Sequence, residues 1–276
     1  MNHIKSADGT SIAYERVGSG PALILVDGAL CRRAFGPMPK LAEQLARDFS
    51  VYLYDRRGRG DSSDAANYSL ERELEDVAAL IQVAGGSAYV FGASSGAALG
   101  LHAAASGLAI TRLAMYEPPF VAEGTSGQEP DHVAVLRQLI DTGKRGAAVK
   151  YFLGDMVRAP KPMVFMMQLM VPVWSKLKAV AHTLPYDATI MGTWAVPTQR
   201  AAQVRVPTLV MHGGKTDARL SRAADALAAA LPNAQSRVLA GQTHNAAATA
   251  VAPVLRAFFL AETAAVSSQV PTTQPL

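Results

Sequence analysis

The strongest constraint on the fold is an alternation of short apolar runs, rich in β-branched and aromatic residues, with longer segments of helical periodicity. Two short segments around Asp8-Gly9 come first and predict a β-hairpin. Six further apolar runs follow, at residues 22–26, 51–54, 88–91, 113–116, 208–211 and 237–239. Such runs, each bounded by Gly, Asp or Pro, are typical of strands buried on both faces. We therefore expect an α/β fold with a mostly parallel, eight-stranded sheet and helices on both faces.

The alternation stops between residues 121 and 204, a region rich in Met, Pro and Trp without a strand pattern. This predicts a helical cap inserted after the sixth strand, with the core formed by residues 1–120 and 205–265. Residues 266–276 contain Ser, Thr, Gln and Pro without an apolar period, which indicates a flexible tail.

Composition excludes several classes of protein. Apolar residues make up 50% of the chain and charged residues 17%, so there is ample surface to bury and the chain is not disordered throughout. The formal net charge is only +4, and the basic residues are scattered among acidic ones, which disfavours a nucleic-acid partner. Cys31 is the single cysteine, so an internal disulfide and a paired-cysteine zinc site are excluded.

The N-terminal residues lack the charged start and apolar run of a signal peptide, so we expect a cytoplasmic protein. The most lipid-like stretch, residues 163–174, contains Gln168 and Pro172 and is shorter than the roughly 20 apolar residues that span a bilayer. It indicates a buried or pocket-lining helix, and no membrane partner is expected. The sequence does not predict an oligomeric state.

A nucleophile motif, Gly92-Ala93-Ser94-Ser95-Gly96, directly follows the run at residues 88–91 and opens a helical pattern. The G-x-S-x-G spacing alone is a weak signal, and its other interpretation is an ordinary tight turn. Between a strand and a helix, however, the two glycines allow a sharp, strained turn that exposes the serine at the edge of the sheet. Ser94 is therefore the predicted nucleophile.

With this motif the chain resembles the α/β-hydrolase superfamily, in particular its cofactor-free serine esterases and perhydrolase-like members. Four further segments carry the resemblance, at residues 55–62, 117–119, 213–217 and 241–245. The resemblance covers nearly the whole chain and implies the α/β-hydrolase fold with a Ser-His-Asp triad. It implies neither a metal nor an organic cofactor.

A serine hydroxyl needs a base, and the base needs a third group that holds its tautomer. His244 follows the last strand, where the family places its histidine, and Asp217 follows the penultimate strand, where the family places its acid. Glu117, at the end of the sixth strand, is the alternative acid, although the prolines after it favour a turn that anchors the cap. For Asp217 the other interpretation is an aspartate at a helix start.

The oxyanion hole is expected from the backbone N–H groups of Ser95 and Ala29, the positions that match the family. Here Asp27-Gly28 replaces the more common His-Gly, so a carboxylate lies next to the oxyanion hole. An ionised, inward-facing Asp27 would oppose the negative charge that forms on the substrate.

We therefore expect Asp27 to turn away, to pair with Arg32 or Arg33, or to bind a polar substrate group. Cys31, on the same loop, either lines the pocket or is a small packed side chain.

Arg56, Arg57 and Arg59 alternate with Asp55 and Asp61, which predicts a structural salt-bridge network in preference to a site for an acidic ligand.

Several large side chains of the cap either line an apolar substrate pocket or form the cap's own core. The residues with this double interpretation are Met163, Met166, Met167, Met170 and Trp174.

These features predict a serine hydrolase that cleaves a small-molecule carboxylic ester or lactone through an acyl-enzyme on Ser94. Since one triad supports several reactions, three alternatives stay open. They are carbon–carbon bond hydrolysis, acyl transfer to an acceptor such as peroxide, and ligand binding without catalysis.

Overall fold

The computed structural model describes residues 1–121 and 130–261. Its strands form one eight-stranded sheet in the order β1-β2-β4-β3-β5-β6-β7-β8. They are β1 (Asn2–Lys5), β2 (Ser11–Val17), β3 (Ala22–Val26), β4 (Ser50–Tyr54), β5 (Ala88–Ala93), β6 (Ile110–Tyr116), β7 (Thr208–Gly213) and β8 (Ala234–Leu239). Strand β2 pairs antiparallel with β1 and β4, and all other neighbours are parallel. The predicted mostly parallel sheet is confirmed.

The described helices are α1 (Met38–Leu45), α2 (Leu70–Val83), α3 (Ser95–Ala105), α4 (His132–Asp141), α5 (Arg145–Tyr151), α6 (Lys161–Leu169), α7 (Val171–Val180), α8 (Leu184–Met191), α9 (Thr198–Ala201), α10 (Ala218–Ala230) and α11 (Ala248–Phe259). A π-helical segment, Phe152–Met156, continues α5, and a 3₁₀ turn, Ala181–Thr183, joins α7 to α8.

Alternate side chains of each central strand enter different apolar layers, as a pleated strand requires. In β3, Ile24 and Val26 pack with residues of α2, α3 and α10, whereas Leu23 and Leu25 pack with residues of α1 and α11. All four side chains are at most 1% exposed. The expectation of helices on both faces is therefore confirmed.

The helices between β6 and β7 belong to two different packing layers. Residues of α4, α5 and α7 and the first half of α8 form a separate apolar cluster with Leu30. Ile190, Met191 and Ala201 instead pack into the main core beside α3. Within the predicted cap of residues 121–204, α4, α5 and α7 therefore pack apart from the core, whereas the residues from Ile190 onward pack into the core. Part of it, residues 122–129, and the predicted tail of residues 266–276 lie outside the described residues.

The base of this insertion is held together by backbone hydrogen bonds. The N–H of Val121 donates to the carbonyl of Trp194 at 2.6 Å, and the N–H of Val196 donates to the carbonyl of Val121 at 3.3 Å. Since Val121 follows β6 closely, these bonds return the chain to the carboxyl edge of the sheet.

Candidate active site

Ser94 occupies the sharp turn between β5 and α3. Its backbone has φ 54° and ψ −127°, a conformation that is strained for a residue with a side chain. The flanking glycines make the turn possible, because a Cβ on Gly92 would lie 2.3 Å from the carbonyl oxygen of Gly96. A Cβ on Gly96 would lie 2.3 Å from the carbonyl oxygen of Val26. The predicted strand-to-helix turn is confirmed.

The loop after β3 lies directly against Ser94. A Cβ on Gly28 would lie 3.1 Å from the Cβ of Ser94 and 3.7 Å from its Oγ. Ala29 directly follows Gly28 on this loop, and the amide of Ser95 lies at the N-terminal end of α3. Both positions proposed for the oxyanion hole thus flank Ser94, where N–H groups stabilise negative charge.

His244 pairs with Glu117. The Nδ1 of His244 lies 2.6 Å from Oε2 of Glu117, whose side chain is fully buried. Glu117 also accepts hydrogen bonds from the N–H of Gly213 at 2.7 Å and from the hydroxyl of Thr216 at 3.0 Å. Burial raises the pKa of Glu117, but these hydrogen bonds and the nearby His244 outweigh it and hold the pKa below its usual value. Glu117 is therefore an ionised acceptor, so Nδ1 of His244 carries the proton it donates.

The prediction that Asp217 orients His244 is wrong. Asp217 is the N-cap of α10: its side chain accepts a hydrogen bond from the N–H of Arg219 at 2.8 Å and forms an ion pair with the guanidinium of Arg219. Its carboxylate is 48% exposed. The alternative interpretation as a helix-start aspartate is the one observed, and Glu117, the rival acid, takes the contact with His244.

Tyr116 connects the turn of Ser94 with the loop that carries His244. Its carbonyl accepts a hydrogen bond from the N–H of Ser94 at 2.9 Å, and its hydroxyl donates to the carbonyl of Thr243 at 2.5 Å. A single residue at the end of β6 thus holds the residue before His244 and the backbone of Ser94 at one edge of the sheet. Sequence reasoning missed this role, because a tyrosine at the end of a strand is an ordinary core residue.

Asp27 is buried and forms no ion pair with either predicted arginine. It is 4% exposed, its Oδ1 accepts a hydrogen bond from the N–H of Gly28 at 3.2 Å, and the thiol of Cys31 is its neighbouring side-chain donor. Burial raises its pKa to about 7, against the influence of Arg59 and Arg56. A carboxyl in this environment is neutral below that pH. Asp27 therefore adds no negative charge to the oxyanion loop in mildly acidic solution.

Cys31 shares the space around Asp27. A Cβ on Gly36 would lie 2.9 Å from Oδ2 of Asp27 and 3.2 Å from Sγ of Cys31, so the two side chains face the same point. Burial and the neighbouring Asp27 raise the pKa of the Cys31 thiol well above its usual value. A protonated thiol of this kind packs as a small apolar side chain, the alternative that the sequence left open.

Arg56 and Arg59 connect α3, the loop after β3 and α8. Both guanidinium groups pair with the carboxylate of Asp187, at 2.8 Å and 2.7 Å, and Arg56 also pairs with Glu73. The hydroxyl of Ser95 donates to Asp187 at 2.7 Å. Nη1 of Arg59 donates to the carbonyl of Gly28 at 2.7 Å.

The predicted salt-bridge network is thus confirmed, but its partners differ from those expected. Arg57 pairs with Asp76 and Asp8, whereas Asp55 and Asp61 pair with Arg33.

The large cap side chains fall into two groups. Met163, Met166 and Met170 are 47%, 58% and 53% exposed, so they line no enclosed pocket in this structure. Met167 and Trp174 are partly buried against the cap cluster, which is the core interpretation.

A cavity of about 40 Å³ lies beside His244, between β5, α1 and α11. It is apolar, and its lining includes Ala93 and Tyr116 but none of the methionines predicted to form a pocket. Ligand pockets are typically about 300–1,000 Å³, so this cavity has room only for a small group. The described residues also contain no cluster of His, Cys, Asp and Glu side chains that could hold a metal ion.

The chain matches the family model described as the alpha/beta hydrolase family over residues 23–257. The protein belongs to the α/β-hydrolase family. Its sequence is 50% identical to that of an alpha/beta hydrolase from Sphaerobacter thermophilus DSM 20745, with a TM-score of 0.88 over 94% of this chain and 100% of that one.

Two further comparisons agree with this assignment. The enol-lactonase from Burkholderia xenovorans LB400 is 21% identical and shares the fold, with a TM-score of 0.70 over 94% of this chain and 100% of that one. Among curated proteins, the uncharacterized hydrolase YraK of Bacillus subtilis (strain 168) is 38% identical over 100 residues, which are 34% of this chain and 35% of that protein. That match spans about a third of either chain, and membership in the α/β-hydrolase family rests on the family model.

Proposed function

We propose that this α/β-hydrolase is a serine hydrolase that cleaves small-molecule carboxylic esters or lactones. The observation that carries the proposal is the contact between His244 and the buried Glu117, connected through Tyr116 with the strained turn of Ser94. Strain of this kind and a base oriented by a third group are both typical of an activated serine nucleophile.

In the first step the hydroxyl of Ser94 attacks the carbonyl carbon of the substrate, and Nε2 of His244 accepts its proton. Glu117 holds His244 by its Nδ1–H, which leaves Nε2 free as the acceptor, and its negative charge stabilises the imidazolium. The N–H groups of Ser95 and Ala29 stabilise the oxyanion of the tetrahedral intermediate.

In the second step His244 returns the proton to the leaving alkoxide, and an acyl group stays on Ser94. His244 then takes a proton from water, whose oxygen attacks the acyl carbon. As the bond to Ser94 breaks, His244 returns this proton to Oγ of Ser94 and the carboxylic acid leaves. Because Asp27 is neutral below about pH 7, it does not oppose the oxyanion there. In mildly acidic solution Asp27 therefore gives no argument against catalysis.

The test is labelling with a fluorophosphonate, combined with hydrolysis of short p-nitrophenyl esters and of a simple lactone. We expect one adduct, located on Ser94 by mass spectrometry, and loss of both labelling and hydrolysis in Ser94→Ala. Ser221→Ala removes an exposed hydroxyl on α10 and serves as the matched control that keeps both. A folded wild-type protein without an adduct or turnover would contradict the proposal.

A further inference from the structure

The outer side of α6 and α7 exposes a continuous set of large apolar side chains. Each is between 47% and 71% exposed, and they flank the bend between the two helices. We call this set the apolar tip, and its members are Met163, Phe165, Met166, Leu169, Met170 and Val171. A contiguous apolar patch of this kind on a globular protein commonly marks an interaction surface.

The apolar tip is the outer side of an anchored structure, because the opposite side of the same helices is packed. Met167, Val173 and Trp174 lie against the apolar cluster of α4, α5, α7 and α8. This cluster also contains Leu30 of the loop after β3. The helices are therefore held in place from within while the tip faces outward.

The chain segment that carries the tip is basic, and Arg158 at its start interacts with Asp217. Residues 158–180 contain Arg158, Lys161, Lys176 and Lys178 and neither Asp nor Glu. Lys161 and Lys178 are exposed, and Nζ of Lys176 lies 5.3 Å from the centre of the Phe35 ring. A basic rim around an apolar face is the pattern that binds anionic lipid surfaces, where the apolar side chains enter the interface and the lysines contact phosphate groups.

We propose that the apolar tip docks on an anionic lipid surface. The protein would lie on the membrane rather than cross it. Within the described residues no single helix is long and apolar enough to span a bilayer. The pair Lys161–Leu169 and Val171–Met191 reaches that length only jointly and is bent by 101°. The second segment includes Asp187, which is buried between Arg56 and Arg59.

A second copy of the chain fits this face less well. A symmetric dimer through the tip would bring Lys161 and Lys178 of one copy close to the same basic rim of the other, and like charges repel. A lipid surface instead supplies the opposite charge. The proposal replaces the sequence-based expectation of no membrane partner, which rested on the absence of a spanning segment.

The experiment is flotation of the purified full chain with vesicles of phosphatidylglycerol and phosphatidylcholine, compared with vesicles of phosphatidylcholine alone. We expect binding to the anionic vesicles and at least a tenfold weaker affinity at 1 M salt, where the Debye length falls to about 3 Å. Lys161→Gln combined with Lys178→Gln should weaken binding by roughly tenfold or more, since each lysine near the surface contributes about fivefold.

The apolar part is tested by Phe165→Ser combined with Leu169→Ser, which should lower vesicle affinity by about tenfold or more. Val83→Ser is the matched control, because Val83 is 41% exposed on α2, away from the tip. Hydrolysis of a water-soluble ester should be equal in all variants, so loss of docking is distinguished from loss of catalysis.

Absence of flotation with anionic vesicles would overturn the proposal. A concentration-dependent dimer that disappears in the Phe165→Ser and Leu169→Ser variant, without vesicle binding, would also overturn it and assign the tip to self-association.

Discussion

The imidazole of His244 contacts Glu117, at the end of β6, with 2.6 Å between Nδ1 and Oε2. Glu117 has φ 45°, an uncommon backbone conformation for a side chain of this type. The carboxylate is then enclosed by the backbone of Gly213 and the hydroxyl of Thr216 as well as the imidazole. Backbone strain and complete burial at this residue are consistent with a role at the site.

Glu117→Gln should reduce kcat/KM for a p-nitrophenyl ester by about 10³–10⁴-fold. A neutral amide no longer stabilises the imidazolium, and it permits the wrong tautomer of His244. The matched variant, Asp217→Asn, should change kcat/KM less than about twofold, because its carboxylate contacts Arg219 rather than His244. Steady-state kinetics of the two variants, with circular dichroism to verify folding, provide the measurement. A larger loss in Asp217→Asn than in Glu117→Gln would refute the assignment.

Asp27→Asn should stabilise the protein in a pH-dependent manner. The folded-state pKa of Asp27 is about 7, above the value near 4 of an unfolded chain, so the folded state keeps a proton that the unfolded state releases. The wild-type free energy of unfolding therefore falls as the pH rises from about 4 to about 7. Asparagine does not ionise, so we expect a gain of about 2–4 kcal/mol at pH 8 and almost none at pH 4.

Urea unfolding of the Asp27 variant and the wild type at several pH values measures this difference. Asp141→Asn, at an exposed position, is the control in which no such pH dependence is expected. A stability difference that is equal at pH 4 and pH 8 would show that folding does not raise the pKa of Asp27.

Asp187→Asn should destabilise the fold by about 3–5 kcal/mol. The substitution leaves two guanidinium groups, those of Arg56 and Arg59, without their shared carboxylate in a buried location. Asp61→Asn removes an ion pair with Arg33 whose carboxylate is 56% exposed, and it should cost less than about 1 kcal/mol. Midpoints of chemical denaturation compare the two variants, and similar losses would contradict the importance assigned to burial.

Gly96→Ala should impair folding or abolish activity. Its Cβ would lie 2.3 Å from the carbonyl oxygen of Val26 and 2.7 Å from that of Asp27, so α3 and the loop after β3 would have to separate. Gly154→Ala is the control, because a Cβ there has no neighbour within 4 Å. Soluble yield and thermal unfolding of the two variants give the measurement, and a Gly96→Ala protein as stable and active as Gly154→Ala would disprove the close approach.

Local patterns were sufficient for the sheet and for part of the site. Strands follow from the short runs of apolar residues, so β3 has the bounds that the sequence predicts. The sequence locates Ser94 because the sharp turn around it requires glycines at positions 92 and 96. It locates His244 by its position after the last strand.

Tertiary structure alone decided which carboxylate orients His244. Glu117 follows β6 and Asp217 follows β7, and these strands are neighbours, so both residues come to the same edge of the sheet. Spacing along the chain cannot separate them. What separates them is the local environment: the backbone of Glu117 turns its side chain into a buried space against His244, whereas Asp217 is captured by the first turn of α10. The pairing of Arg56 and Arg59 with Asp187 depends in the same way on long-range packing, because more than a hundred residues separate the partners in sequence.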